Sequence, residues 1–336
     1  MRKPDFRNIE KVLRRERPER PTLFEFFLNE RLYQRLAGER WTAAACLADE
    51  FRRLAHAFAA AGYDYATVRG SSFSFPRGDQ HRVQTISLNE GARITDRASF
   101  DAYPWPDVAT FDYGGLSQVA GDLPQNFKLM VNGPGGVLEN VIGLAGYDNL
   151  CLLLADDPLL VTDLFDAVGS RLVRHYQRAV EHRTVGIVMF NDDWGFKTQP
   201  MLAPADMRKY VFPWHKRMVE VAHRAGLPAV LHSCGNQASL MEDIIGDMKY
   251  DGKHSFEDTI QPIEEAYAQF GGRIALLGGM DLDFILRSSC DAVRARSQRM
   301  LALATRGGYA LGTGNSVPEY VPDEKYFAMT SAALAP

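Results

Sequence analysis

From residue 185 onward the chain alternates between short apolar runs and longer stretches with helical periodicity. Val185-Gly186-Ile187-Val188-Met189-Phe190 is continuously apolar and ends in Asn191-Asp192-Asp193. Met207, Val211, Trp214, Met218, Val221 and Ala222 then recur at three and four, which predicts an amphipathic helix over 204–225. Pro213 lies inside that pattern and predicts a kink or break. A second apolar run, Pro228-Ala229-Val230-Leu231, leads into His232-Ser233-Cys234-Gly235-Asn236. A short helix is predicted over 238–248 and a weaker strand over 250–255. A further helix over 262–270 is closed by Gly271-Gly272. Ile274-Ala275-Leu276-Leu277 reads as strand, 290–305 as a strong amphipathic helix, Tyr309-Ala310-Leu311 as the last strand, and the chain from Asp323 as helix.

The first half adds strand candidates at 22–27, 65–68 and 128–132, a Pro-rich loop at Tyr103-Pro104-Trp105-Pro106, and an all-helical stretch over 147–182. Strands that alternate with helices imply right-handed βαβ units and a parallel sheet. Eight strands favour a (β/α)8 TIM barrel of α/β class with extra N-terminal helices, forming one domain over 1–336. No GxGxxG follows the first strand, which argues against a dinucleotide-binding sheet.

Composition narrows the function classes. The 336 residues are 46% hydrophobic and carry a formal net charge of −4, without the basic excess of a general nucleic-acid binder. Mixed clusters such as Arg14-Arg15 and Arg17 among acidic residues read as a solvated helical face. No apolar run is long enough for a membrane span, and the N-terminus lacks the apolar stretch of a signal peptide. Cys46, Cys151, Cys234 and Cys290 are widely spaced, which points to a reduced, cytoplasmic protein. Cys46 and Cys151 lie in Ala- and Leu-rich surroundings that predict core positions. Cys290 follows Ser288-Ser289, a helix start outside the expected pocket.

In such a barrel the active site lies at the C-terminal ends of the strands, so polar strand-end residues are the candidates. They are Asn132, Asn191, Asp192, Asp193, His232, Cys234, His254, Glu257, Asp281, Thr313 and Asn315. His232 and Cys234 stand two apart on a strand and so share a face. An imidazole beside a thiol suits a soft metal such as zinc, or a thiolate–imidazole pair. The Asp192-Asp193 pair projects to opposite sides, so only one aspartate is expected to face the pocket, and for each of the two a cap or turn role is the alternative. His254 is a candidate ligand or general base, Glu257 a candidate third metal ligand, and Asp258 a capping or packing residue. Asp281 is either a pocket carboxylate or a cap. Gly278-Gly279 allows close approach of a ligand or simply a tight turn. Gly312-Thr313-Gly314 has the look of an anion-binding loop but lacks a P-loop lysine.

Taken in order, Asn191-Asp192-Asp193-Trp194-Gly195, Pro204, Pro213-Trp214-His215-Lys216, His232-Ser233-Cys234-Gly235-Asn236, Leu277-Gly278-Gly279-Met280-Asp281 and Gly312-Thr313-Gly314-Asn315 resemble the uroporphyrinogen decarboxylase superfamily. The resemblance is good over 185–330 and holds only in outline before that. It implies a (β/α)8 barrel. Its haem-pathway decarboxylases carry arginines on the first strand, where this chain has Pro21-Thr22-Leu23-Phe24-Glu25-Phe26-Phe27. They also carry an Asp where this chain has Val68-Arg69-Gly70-Ser71-Ser72, and Gly-His-Gly where it has Gly312-Thr313-Gly314. A substrate with many carboxylates would lack its cations here.

The corrinoid-dependent methyltransferases of the superfamily hold zinc through His-x-Cys and a later Cys. His232 and Cys234 match the first two ligands, and the later Cys is missing near Thr313. A zinc site then needs Glu257 or an aspartate of the 192–193 pair, or the chain holds no metal. The resemblance therefore implies a methyltransferase moving a methyl group between methylcobamide and a small acceptor or donor. Asp192, Asp193, His232 and Cys234 are its expected catalytic residues, and Asn191, His254, Asp281 and Asn315 its substrate contacts. Expected partners are a corrinoid carrier protein and a second copy of the chain as homodimer, with no nucleic acid or membrane. A carboxy-lyase acting on a tetrapyrrole or other carboxylate, and a non-catalytic ligand-binding barrel, are the alternatives.

Overall fold

The computed structural model describes residues 2–38, 44–78 and 87–334. Seven strands form one parallel sheet in sequence order: β1 (Tyr65–Arg69), β2 (Lys128–Asn132), β3 (Val185–Asn191), β4 (Ala229–His232), β5 (Gly252–His254), β6 (Ala275–Leu277) and β7 (Tyr309–Ala310). The eighth position is filled by the segment around Leu23, which bridges Leu311 in parallel. There the Phe24 amide donates to the Leu311 carbonyl and the Leu311 amide to the Thr22 carbonyl, both at 2.8 Å. Toward β1 the Tyr65 hydroxyl takes over from the ladder, accepting from the Glu25 amide and donating to the Glu25 carbonyl, each at 2.8 Å. The sheet thus curls into the (β/α)8 barrel that the alternating pattern implies.

The strands are apolar on both faces because helices cover the outside and side chains fill the inside. β3 is buried from Val185 to Phe190 and half-buried only at Asn191, where it meets the mouth. The N-terminal helix Arg7–Leu13 closes the bottom, burying Ile9, Val12 and Leu13. Glu30–Ala37 and Leu47–Ala61 intervene before β1, and Val137–Ala145, Tyr147–Asp156 and Pro158–Ala179 lie between β2 and β3. Pro213 sits in the first turn of Phe212–Arg224, directly after one wide π-helical turn over Met207–Val211. The missing proline N–H is accommodated there, so the break falls just ahead of the proline.

Among the described residues no single helix is long and apolar enough to cross a membrane. One pair, Val137–Ala145 with Tyr147–Asp156, passes by length and composition but is bent by 93°. Two cysteines depart from expectation. Cys46 and Cys151 are exposed, because Cys46 precedes the first turn of its helix and Cys151 lies on the outer side of Tyr147–Asp156.

Candidate functional site

Register brings the site together. In the parallel ladder Asn191 pairs with His232 and His232 with His254, so β3, β4 and β5 end level with one another. Neighbouring strands lie roughly 4.8 Å apart, within reach for side chains on one face. His232 Nδ1 lies 2.9 Å from His254 Nδ1. On its other side His232 Nε2 lies 3.6 Å from Cys234 Sγ, as a two-residue spacing on a strand requires.

The paired aspartates separate as adjacent extended residues should. Asp192 is fully buried and turned away from the mouth. Its carboxylate accepts from the Leu138 and Glu139 amides, at 3.0 and 2.9 Å, and pairs with His215 Nε2 at 2.9 Å. It thereby caps the helix Val137–Ala145 from another element and stands out of the reacting group, which corrects its expected catalytic role. Asp193 faces the mouth and accepts from the Cys234 amide at 2.8 Å.

Among the described residues Asp193, His232 and Cys234 bring one ligand atom each within 4.8 Å of one another. Glu257 is not in this group. It is half-buried on the loop after β5 and lines the grooves outside it, so Asp193 stands where Glu257 was expected. Ligands of a tetrahedral zinc ion sit about 3.5 Å from one another at ordinary bond lengths. The His232–Cys234 separation already matches, and the oxygen, nitrogen and sulfur donors are of the types zinc takes. The residues present therefore fit such a metal. Asn315 Nδ2 donates to Cys234 Sγ at 3.3 Å, and the Ser255 hydroxyl lies 3.7 Å from it.

Electrostatics disfavour a thiolate in the metal-free site. Burial, followed by the Asp193 charge, pushes the Cys234 thiol well above its usual range. Burial holds His232 well below its ordinary value. Alone, the two form a neutral thiol and a neutral imidazole, the opposite of an activated thiolate–imidazolium pair. A bound cation would reverse this for the sulfur.

The remaining candidates sort by position. Asn191 and Asp193 line a cavity of about 570 Å³ with Glu139, Gly195, Arg77 and Met201. Asn191 Oδ1 is buried there without a hydrogen-bond partner among the described residues. Asp281 caps Leu282–Arg287 through the Phe284 amide and also holds the Asp258 amide, so it is a structural cap at the edge of the mouth. Asp258 pairs with the buried Arg296, which also holds Glu264. His254 is wholly buried, which removes it from direct substrate contact. Ser289 caps the helix that begins at Cys290.

The glycines serve the protein itself. Gly278 has φ +72°, and a Cβ there would overlap the Thr313 carbonyl and crowd the His254 ring. A Cβ on Gly312 would strike the Phe24 carbonyl and one on Gly314 the Phe256 carbonyl. The space expected for a ligand or anion is filled by neighbouring strand ends.

Four buried or half-buried titratable side chains near the mouth escaped the strand-end rule. Lys253 is 3% exposed, donates to the Ser255 carbonyl at 2.8 Å and lies over the Phe256 ring. Burial lowers its pKa to about 8. His215 holds Asp192 from the helix Phe212–Arg224. Burial and the neighbouring Asp192 and Asp193 push Glu139 up to about 8. Glu25 is fully buried, accepting from the Thr313 hydroxyl at 2.7 Å and the Thr313 amide at 3.2 Å. A lone charge inside an apolar strand pattern was the available signal for Glu25, whereas Lys253, between Asp251-Gly252 and His254, offered none.

Burial raises Glu25 from 4.5 to about 8. The folded state then binds a proton that the unfolded state releases across this window. Stability is therefore expected to fall as pH rises from 4.5 to about 8, with a slope of at most about 1.4 kcal/mol per pH unit from this group. Urea melts of Glu25→Gln, which keeps an acceptor for Thr313, should show a shallower slope than wild type.

The uroporphyrinogen decarboxylase (URO-D) family model matches residues 120–335, a segment that starts well before the motifs themselves. The uroporphyrinogen decarboxylase of Anaeromyxobacter dehalogenans (strain 2CP-C) is 25% identical over 207 residues, 61% of this chain and 57% of that protein. That of Streptomyces avermitilis is 27% identical over 168 residues, 49% of this chain and 44% of that protein. The matches thus span about half the length of these curated relatives. A methyltransferase from Methanosarcina mazei superposes with a TM-score of 0.70 at 15% identity, covering 98% of each chain, a likeness of fold. Both the family match and the barrel with its strand-end motifs lead to one conclusion: the chain belongs to the uroporphyrinogen decarboxylase family.

Proposed function

We propose that this member of the family is a methyltransferase, moving a methyl group between a methylcobamide and a small thiol. The observation that carries this reading is the convergence of Asp193, His232 and Cys234 at the barrel mouth. Zinc, held by those three, would supply the acidity that lets an acceptor thiol react as thiolate at neutral pH. In such a transfer a sulfur–carbon bond would form and the cobalt–carbon bond break, with its electron pair left on the demethylated corrinoid and the thiol proton released to solvent. The chain's own part is positioning. Asp193 and Cys234 are tied to each other through the Cys234 amide, and the Asn315 amide steadies the sulfur. In the adjoining cavity Asn191 Oδ1 would accept a hydrogen bond from the incoming thiol compound, and Glu139, raised to about 8, lies beside it. A corrinoid carrier protein is the expected methyl source.

A second reading, decarboxylation of a carboxylate substrate, is favoured by the buried Lys253 on the wall beside Glu257 and by the names of the curated relatives. Purified protein is expected to hold about one zinc per chain and to demethylate free methylcobalamin in the presence of a small thiol, read from the corrinoid's visible spectrum. Metal-free protein that releases carbon dioxide from a tetrapyrrole or other carboxylic acid would overturn methyl transfer in favour of decarboxylation. Binding of such ligands with neither reaction would favour a non-catalytic barrel.

A further inference from the structure

We infer that His254 is a positioning residue that fixes the tautomer of His232, so that the His232 Nε2 lone pair faces Cys234 and Asp193. The argument starts at the far end of a hydrogen-bonded chain. A backbone carbonyl can only accept, and the Thr313 carbonyl lies 3.1 Å from His254 Nε2. His254 Nε2 therefore carries a hydrogen. His254 is fully buried and rests on the Phe24 ring at 5.0 Å. It stays neutral there, because its hydrogen-bond partners among the described residues are a carbonyl and an imidazole, neither of which offsets a buried charge. Its Nδ1 is consequently a bare acceptor.

That acceptor faces His232 Nδ1 at 2.9 Å, a separation two bare nitrogens would not hold. His232 Nδ1 therefore donates, and its Nε2 carries the lone pair directed toward Cys234 Sγ at 3.6 Å. The hydrogen bond at one ring nitrogen decides the state of the other.

The relay is anchored at its origin. Thr313 is gripped by Glu25 through both its amide and its hydroxyl. Its carbonyl also accepts from the Gly279 amide at 2.9 Å. The missing Cβ of Gly278 leaves room for the His254 ring to reach it. The Phe26 ring lies tilted against the His232 ring, their centres 4.7 Å apart. A histidine that merely filled the core would need its bond to Thr313 and nothing on the other side. His254 uses both nitrogens, and the second points at the residue that bears the donor atom.

Two substitutions separate these roles. The Asn side-chain oxygen reaches the place of His Nδ1, whereas the Gln side-chain nitrogen reaches that of Nε2. H254N keeps the acceptor for His232, and H254Q keeps the donor to Thr313. Long-range proton–nitrogen correlation spectra of the metal-free, 15N-labelled full chain should show His232 protonated at Nδ1 and bare at Nε2, with His254 the reverse. Cobalt(II) titration against a competing chelator should then find H254N within about threefold of wild type and H254Q roughly 10- to 100-fold weaker.

A His232 protonated at Nε2, or H254Q binding cobalt as well as H254N, would overturn the inference. If H254Q does not fold, the wild-type spectrum and H254N decide it. The affinity comparison rests on the metal reading above, while the spectrum does not. A chain with the stated tautomers that binds no cobalt supports this inference and overturns the metal reading alone.

Discussion

Replacing Cys234 by serine is expected to strip the chain of zinc and to remove at least about 100-fold of its methyl transfer, since loss of an outer partner alone costs 10- to 100-fold. The expectation rests on the donor set. Asp193 and His232 would remain, but a two-ligand site of one oxygen and one nitrogen has neither the count nor the softness that holds zinc. The protein should still fold, because Cys234 is half-buried at the mouth and a serine oxygen can accept from Asn315 in place of sulfur. Zinc content by elemental analysis, set beside the rate of methylcobalamin demethylation, checks it. Stoichiometric zinc in the variant would mean that Cys234 is not a ligand. A linked measurement follows from the elevated thiol pKa. Zinc uptake by the wild type near neutral pH should release about one proton, which the serine variant should not. Calorimetry in buffers of different protonation enthalpy reads this directly.

Asp192→Ala and Asp193→Ala should part company despite being neighbours in the chain. The first is expected to destabilise the fold by about 3–5 kcal/mol, since it leaves His215 and two helix-terminal amides without their buried acceptor. The second removes one bond, to the Cys234 amide, from a half-buried position and should cost about 1 kcal/mol. In metal binding the order reverses, with Asp193→Ala losing zinc and Asp192→Ala, where it remains folded, retaining it. Urea denaturation gives the first comparison and metal content the second. Equal stability losses would show that the helix Val137–Ala145 does not depend on its borrowed cap.

The strand ends were legible for a physical reason. Buried parallel strands must be apolar throughout, so the first polar residue after each run marks where the strand leaves the core. Asn191, His232 and Thr313 were found this way, and the common end of the barrel followed from the right-handed crossover. The spacing of His232 and Cys234 specified a shared face, and the pleat supplied it. Family motifs carried the same reading over 185–330, and the family model's match runs from 120 to 335.

Local pattern carries no information about which strand ends are level or which way an exposed carboxylate turns. The register that sets Asn191, His232 and His254 side by side is a property of three paired strands. Asp192 became a helix cap because the amides of residues 138 and 139 arrive beside it from the β2 loop. Asp193, one residue on, was left to face Cys234. Glu257 and Asp281 had equal claims by type and position, but their loops carry them to the rim of the mouth and to a cap. Glu25 sat inside an apolar run and Lys253 in a short polar stretch, and neither ends its strand. The sequence by itself determined the barrel and its reactive end, because periodicity and burial are local. Only the tertiary structure decided the partners of each carboxylate and imidazole, because those depend on backbone groups far away in the chain.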